Sequence, residues 1–316
     1  MDSSTFWKNF NLGTELQVSG NFIYNGLLVF DEMETFYHED EIFEFLYNIS
    51  VGIERLLKIN VILIEHTNEM NQDIFFESIR NHNHQKLLKS ISNKYNLKAS
   101  KSKNAFIQLL NNFYNEMRYD RYTNKDPLNN DKEKKILIQF LEKYLKIKIS
   151  NEFLSVSLND RITKQFIGEV IKSIIVEQYE IITKEAARLN IYIDDIRRYS
   201  KAYKIFILQQ FNFDFENRVQ KELFLKFLSD DKSSPLIAFA KEFEPLEFDC
   251  YDENYYAKCM FKKLEILNLD GEMELLYENI EDIEERVDFL DDIGNDMVRF
   301  DVYEDESFED EIKHEK

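Results

Sequence analysis

Apolar residues recur along this chain at the three-and-four spacing of helices almost from end to end. Residues 103–118 set Phe106, Leu109, Leu110, Phe113, Tyr114 and Met117 on one stripe, with Ser102 placed to cap it. Residues 41–66 are apolar nearly all round, from Ile42 and Phe45 through Ile49, Ile53, Leu56 and Leu57 to Val61, Ile62 and Ile64. Such a helix belongs at the centre of a bundle. A third helix is expected over 161–189, on Phe166, Ile167, Val170, Ile171, Ile174, Ile175, Tyr179 and Ile182. Shorter amphipathic pieces fall at 15–33, 84–95, 133–147, 201–211, 217–228, 254–267 and 272–290, and no fixed-period repeat is visible. The expected fold class is all-α, an N-terminal bundle of four or five helices followed by a second helical region.

Composition narrows the possible activities. Only 7 Gly and 3 Pro occur in 316 residues, too few for the many turns of sandwiches, barrels or doubly wound folds. The glycines stand too far apart for a G-x-G-x-x-G or Walker A loop, which excludes dinucleotide dehydrogenases and P-loop NTPases. Cys250 and Cys259 make neither a disulfide framework nor a zinc quartet, and a nucleophilic role is not expected of either. No apolar run reaches membrane-spanning length and Met1-Asp2-Ser3-Ser4-Thr5 does not open a signal peptide, so a cytoplasmic protein without membrane contact is expected. No cofactor and no metal are expected. His82 and His84 form a His-x-His pair, but it sits between helices without a third ligand.

Charge divides the chain. With the prolines as punctuation, residues 1–126 carry a net charge of −4, residues 127–234 of +3 and residues 235–316 of −19. Three regions follow from this: an N-terminal bundle, a mildly basic helical region, and an acidic lobe whose end, Glu304 to Glu311, repels itself. The acidic lobe reads first as a solubilising end and second as a cover for a basic surface, in cis or on a partner.

Three stretches of the N-terminal bundle carry a family resemblance. They are Gly52-Ile53-Glu54-Arg55-Leu56-Leu57-Lys58, then Asn83-His84-Gln85-Lys86-Leu87-Leu88-Lys89, then Phe113-Tyr114-Asn115-Glu116-Met117-Arg118-Tyr119. In order and spacing they resemble the HEPN superfamily, helical domains of bacterial toxins, antiphage systems and RNA-processing enzymes. The resemblance covers about the first 120 residues. It implies a role in bacterial defence or stress response and, in nuclease members, metal-independent RNA cleavage by an Arg-x4–6-His motif paired across a dimer. That motif is absent as written. Its nearest counterpart is Arg80 with His84, one residue short.

If residues 80–88 are helical, Arg80 and His84 share a face. His84 then moves the proton of a 2′-hydroxyl while Arg80, Arg118 and Arg121 hold the phosphate. The competing reading makes residues 81–84 a polar turn and cap. A second candidate strip is Arg197-Arg198-Tyr199-Ser200-Lys201-Ala202-Tyr203-Lys204, with Lys184 and Arg188 before it. Its basic residues interleave with tyrosines able to stack on bases. The competing reading is a helix face on which Tyr199 and Tyr203 pack as neighbours. The leading expectation is a HEPN-like protein that acts by binding RNA or a protein partner. The second is a dimeric metal-independent endoribonuclease, and the third a structural subunit of a defence complex that docks through its acidic lobe.

Overall fold

A computed structural model describes residues 3–98, 100–119, 122, 131–152, 155–193, 195–229, 235–248, 253–262, 269–295 and 297–298. Arg121, Asp194, Cys250 and the acidic run 304–311 lie outside the described residues. The fold is all-α; among the described residues a short hairpin pairs β1 (Asn151–Glu152) antiparallel with β2 (Ser155–Val156). No described helix is long and apolar enough to cross a membrane. The chain forms two compact units, Met1–Phe213 and Asp214–Lys316. The boundary therefore falls at 213/214 and not at 126/127 or 234/235. It is also the sharper electrical boundary: residues 1–213 hold 28 basic and 28 acidic residues, and residues 214–316 hold 12 and 32. The whole net charge of −20 belongs to the second unit.

Unit 1 is built around α2 (Glu39–Glu65), against which α1 (Ser3–Glu32), α4 (His84–Ser92), α5 (Lys101–Asn112), α6 (Lys132–Leu145) and α7 (Arg161–Leu189) all pack. The apolar circumference of α2 requires neighbours on every side. Helix α1 begins twelve residues before the pattern at 15–33 indicates, because Asn9, Asn11 and Gly13 interrupt a stripe that Lys8 and Leu12 already occupy. Small residues bring α1 and α2 close, and Ser19 Oγ donates to Gly52 O at 2.7 Å. At Gly20 a Cβ would stand 2.6 Å from Ala202 Cα, in α8 (Lys201–Phe206). Gly20→Ala is expected to destabilise unit 1 by about 2 kcal/mol through this overlap, read as a lower urea midpoint.

Two pieces differ from their periodicity. The stripe over 103–118 is an α-helix with Ser100, not Ser102, at its N-cap position and no side-chain capping bond, and it ends at Asn112 in a π turn. Short α3 (Gln72–Ile79) was masked by its polar surroundings and starts where Asn71 accepts from Ile74 N. The core of unit 1 is continuous from Leu12 to Phe213.

Unit 2 holds α9 (Asp214–Ser229), α10 (Pro235–Ala240), α11 (Glu253–Lys262), α12 (Leu269–Tyr277) and α13 (Ile283–Asp292). The stretch 272–290 is thus two helices, because Asp282 caps a new start by accepting from Glu285 N. Phe289 stacks on Phe243 and packs against Phe239, and Arg286 donates twice to Glu244 O.

Candidate functional site

The end of α5 is where the chain departs from regular geometry. Residues Phe113–Met117 form a π turn, closed by Arg118 N–H donating to Phe113 O at 3.1 Å. Such wide turns concentrate at functional sites. This one swings the Arg118 guanidinium over Tyr114, 4.0 Å from the ring centroid, and against Tyr119 at 4.5 Å. Tyr119 is 58% exposed and Tyr122 is 86% exposed, so an arginine held between rings stands beside open aromatic faces.

Glu54 sits nearby on α2, its side chain almost fully buried. A buried carboxylate needs partners, and two are present. Lys58, one turn on, approaches to 2.6 Å, and His82 Nδ1 lies 3.0 and 3.1 Å from the two carboxylate oxygens. With a carboxylate as acceptor, Nδ1 is the donor, so Nε2 is the nitrogen that holds the lone pair in the neutral form of the ring. The His82 side chain is 48% exposed. Asn115 Nδ2 fixes the His82 carbonyl at 3.1 Å, and the imidazole lies edge-on to Tyr114, centroids 5.1 Å apart. Tyr114 therefore has His82 and Arg118 on its two flanks. Burial, with the charge of Glu54 adding to it, pushes the Tyr114 phenol above its ordinary pKa against the opposing pull of Arg118. The phenol stays protonated at neutral pH.

His84 has a different fate. It is fully buried at the first position of α4, where Nε2–H donates to Ser50 O at 2.9 Å. Burial lowers its pKa below the usual histidine range, against the hydrogen bond to Ser50 and the charge of Glu54, so the ring is neutral. Arg80 closes α3 and pairs on the surface with Glu77 at 3.0 Å. Residues 81–83 are not helical, so the shared helical face expected for Arg80 and His84 does not form. The cap reading holds instead, with Asn83 accepting from Lys86 N. Among the proposed phosphate holders, the structure brings Arg118 to the His82 side of the bundle, and Arg121 lies outside the described residues.

The second strip is divided. Lys204 is turned inward over Phe213, 3.7 Å from the ring centroid, and Lys201 Nζ donates to Asn25 Oδ1 at 2.8 Å. Arg188 is held by Glu185 and by Leu63 O. Tyr203 packs against the core. Tyr199 precedes α8 in a left-handed conformation, φ 61°, and is fully exposed, so Tyr199 and Tyr203 are not helical neighbours. Arg197, Arg198, Tyr199 and Lys184 remain at the surface.

His82 escaped sequence reading because its partner is 28 residues away, but two signals were present. Glu54 is an acid midway along α2, among the apolar positions Ile53, Leu56 and Leu57. From Ser78 to Asn115 there is also not one Asp or Glu, in a chain with 60 of them, while seven Lys and Arg and many Asn and Gln occur. That interval spans the end of α3, all of α4 and all of α5. Among the described residues, no three His, Cys, Asp or Glu side chains converge as metal ligands. No family model, curated protein or solved structure matches this chain.

Proposed function

We propose that unit 1 is a metal-independent endoribonuclease of HEPN-like kind acting on single-stranded RNA, with His82 in the role that the sequence suggested for His84. The observation that carries this reading is the Glu54–His82 pair, a solvent-facing imidazole whose free Nε2 is oriented by a buried carboxylate. Nε2 takes the proton of a 2′-hydroxyl, the 2′-oxygen bonds to the adjacent phosphorus, and the P–O5′ bond breaks. The 5′-oxygen leaves with the Nε2 proton of a second copy's His82 in its imidazolium form, in the pairing that the resemblance implies. Arg118 carries the charge of the phosphorane, and Tyr119 and Tyr122 offer faces for unstacked bases.

The test is incubation of single-stranded RNA with the purified protein in EDTA, followed by analysis of the ends. Ends carrying 2′,3′-cyclic phosphate are expected. Glu54→Gln should lower kcat on the order of 100-fold with KM unchanged, because an amide no longer fixes the tautomer. Absence of cyclic ends at every protein concentration overturns the catalytic reading. A second reading, RNA binding without cleavage, is favoured by the burial of His84 and the diversion of Arg80 to Glu77. It predicts retarded RNA with intact ends.

A further inference from the structure

Helices α4 and α5 run antiparallel, as three contacts along them show. Asn115 reaches His82 O, Gln85 pairs with Gln108, and Leu88, Lys89 and Ser92 face Asn104 and Ile107 across a cavity of about 270 Å³. The cavity thus lies at the far end of the same two-helix face that begins at His82 and Arg118. Along α4 the separation is about 12 Å, at 1.5 Å per residue from His84 to Ser92. Leu88, Leu97 and Ile107 give the cavity an aliphatic lining, and Lys89, Lys98 and Lys103 line it as well.

The charges on this face are not equivalent. Lys103 is buried against Glu177, which also accepts from Lys98 N, and Lys94 is committed to Glu185. Arg80 is committed to Glu77. The ammonium groups of Lys86, Lys89, Lys98 and Lys101 are exposed and make no ion pair among the described residues. Between these lysines and His82 stand amides, Gln85, Gln108, Asn111 and Asn115. Amides donate hydrogen bonds and do not repel a polyanion. The first turn of α5 has no side-chain cap and no acid of its own, and Glu177, which approaches it, is taken up by Lys103 and Lys98 N. In a unit whose net charge is zero, α4 and α5 carry no acid of their own. Glu177 and Glu65 reach them from α7 and α2 but are bonded to Lys103, Lys98 N and Ser90, which leaves the four exposed lysines to set the charge of this face as an electrostatic track.

We propose that the α4–α5 face binds the backbone of the same single-stranded RNA, and that the lysine-lined cavity holds a phosphate a few nucleotides from the bond facing His82. Lys89 and Lys98 grip that phosphate, and the sugar or base rests on Leu97 and Ile107. This inference rests on the RNA-directed reading of His82 and adds a remote anchor to it. The anchor contributes to affinity for long strands and nothing to the chemistry of a dinucleotide.

The test uses the full chain and a fluorescein-labelled 2′-O-methyl RNA of about 15 nucleotides, whose blocked 2′-oxygen prevents cleavage. Anisotropy is followed across a salt series. Lys89→Ala/Lys98→Ala is expected to weaken binding on the order of tenfold. It should also reduce the slope of log K against log salt by about 0.7, which is one single-strand phosphate contact. Lys143→Ala/Lys172→Ala, away from this face, controls for net charge and leaves the slope unchanged. Cleavage of a dinucleotide by the Lys89/Lys98 variant proceeds at the wild-type rate. If wild-type protein binds and cleaves RNA but the double variant matches it in affinity and slope, the track is wrong and the His82 site stands. If binding shows the lysine dependence without any cleavage, the track stands and the catalytic reading falls. No binding by the wild type overturns both.

Discussion

Replacing His82 with alanine is expected to reduce kcat on single-stranded RNA by on the order of 1,000-fold, about 4 kcal/mol of barrier, with KM nearly unchanged. The size follows from its position. His82 is the half-exposed imidazole whose core contacts are Glu54, which keeps Lys58 at 2.6 Å, and the edge of Tyr114, which keeps Arg118 over its ring. The fold should therefore survive, which circular dichroism and the urea midpoint will check. The neighbouring histidine gives the contrasting result. His84→Ala opens a hole under Tyr114 and leaves Ser50 O without its imidazole donor, so it lowers stability and reduces activity only through unfolding. An unchanged kcat in His82→Ala would remove the imidazole from the reaction. Equal losses of kcat in soluble, folded forms of both variants would point back to His84.

Glu185→Ala is expected to destabilise unit 1 by about 3 kcal/mol. Glu185 lies in α7 with its side chain 1% exposed, and three groups converge on it: Lys94 at 2.6 Å, the Tyr95 hydroxyl, and Arg188 at 2.6 Å. Arg188 extends the link to Leu63 O on α2, so one carboxylate joins α7, the segment after α4, and the central helix. Removing a partner from a buried ionic cluster costs roughly 3–5 kcal/mol. The lower end applies because Lys94 and Arg188 are 40% and 50% exposed and recover water.

The same cluster sets a pH window. Burial raises the Glu185 pKa, but hydrogen bonds from Lys94, Tyr95 and Arg188 outweigh it and hold the carboxyl below the ordinary value of 4.5. A depressed folded pKa means that the unfolded chain binds the proton first. The stabilisation is complete above about 4.5 and is lost as pH falls from there through the folded value. Burial and the hydrogen bond to Glu185 push Tyr95 up to about 12. That contribution is complete below the unfolded value near 10 and is lost as pH rises through about 12. Urea midpoints across pH should fall at both extremes, and Glu185→Ala should flatten both falls. Unchanged acid sensitivity in the variant would assign the loss to other carboxylates.

The helices that were plain in the sequence are those whose apolar residues are long runs. Helix α7 fills 161–189 as its stripe indicates, with Asp160 and Asn190 as caps, and α2 differs by two residues at its start. What periodicity misses is anything held by tertiary contact. The π turn after Asn112 keeps an apolar spacing close to helical, so Phe113 and Tyr114 read as one more turn of α5. The domain boundary was misplaced for a similar reason, since proline and charge mark surface loops while packing of α6 and α7 on α2 decides the unit. The site divides along the same line. Arg118 was visible because arginine beside tyrosine is a local signal. The choice between His82 and His84 was not, because it depends on which imidazole meets Ser50 O and which meets Glu54. Both partners lie on another helix.

The π turn has one consequence for how this region tolerates change in length. Residues 113–117 complete their hydrogen-bonded loop with one residue more than an α-helix uses. Loss of any single residue there would let the chain continue as ordinary α-helix, and it would turn everything downstream by about 100° around the axis. Loss of Glu116 or Met117 would take Arg118 off the Tyr114 face with Tyr114, Asn115 and Arg118 all still in the sequence. The phase of the helix, as much as the identity of its residues, is what this site encodes.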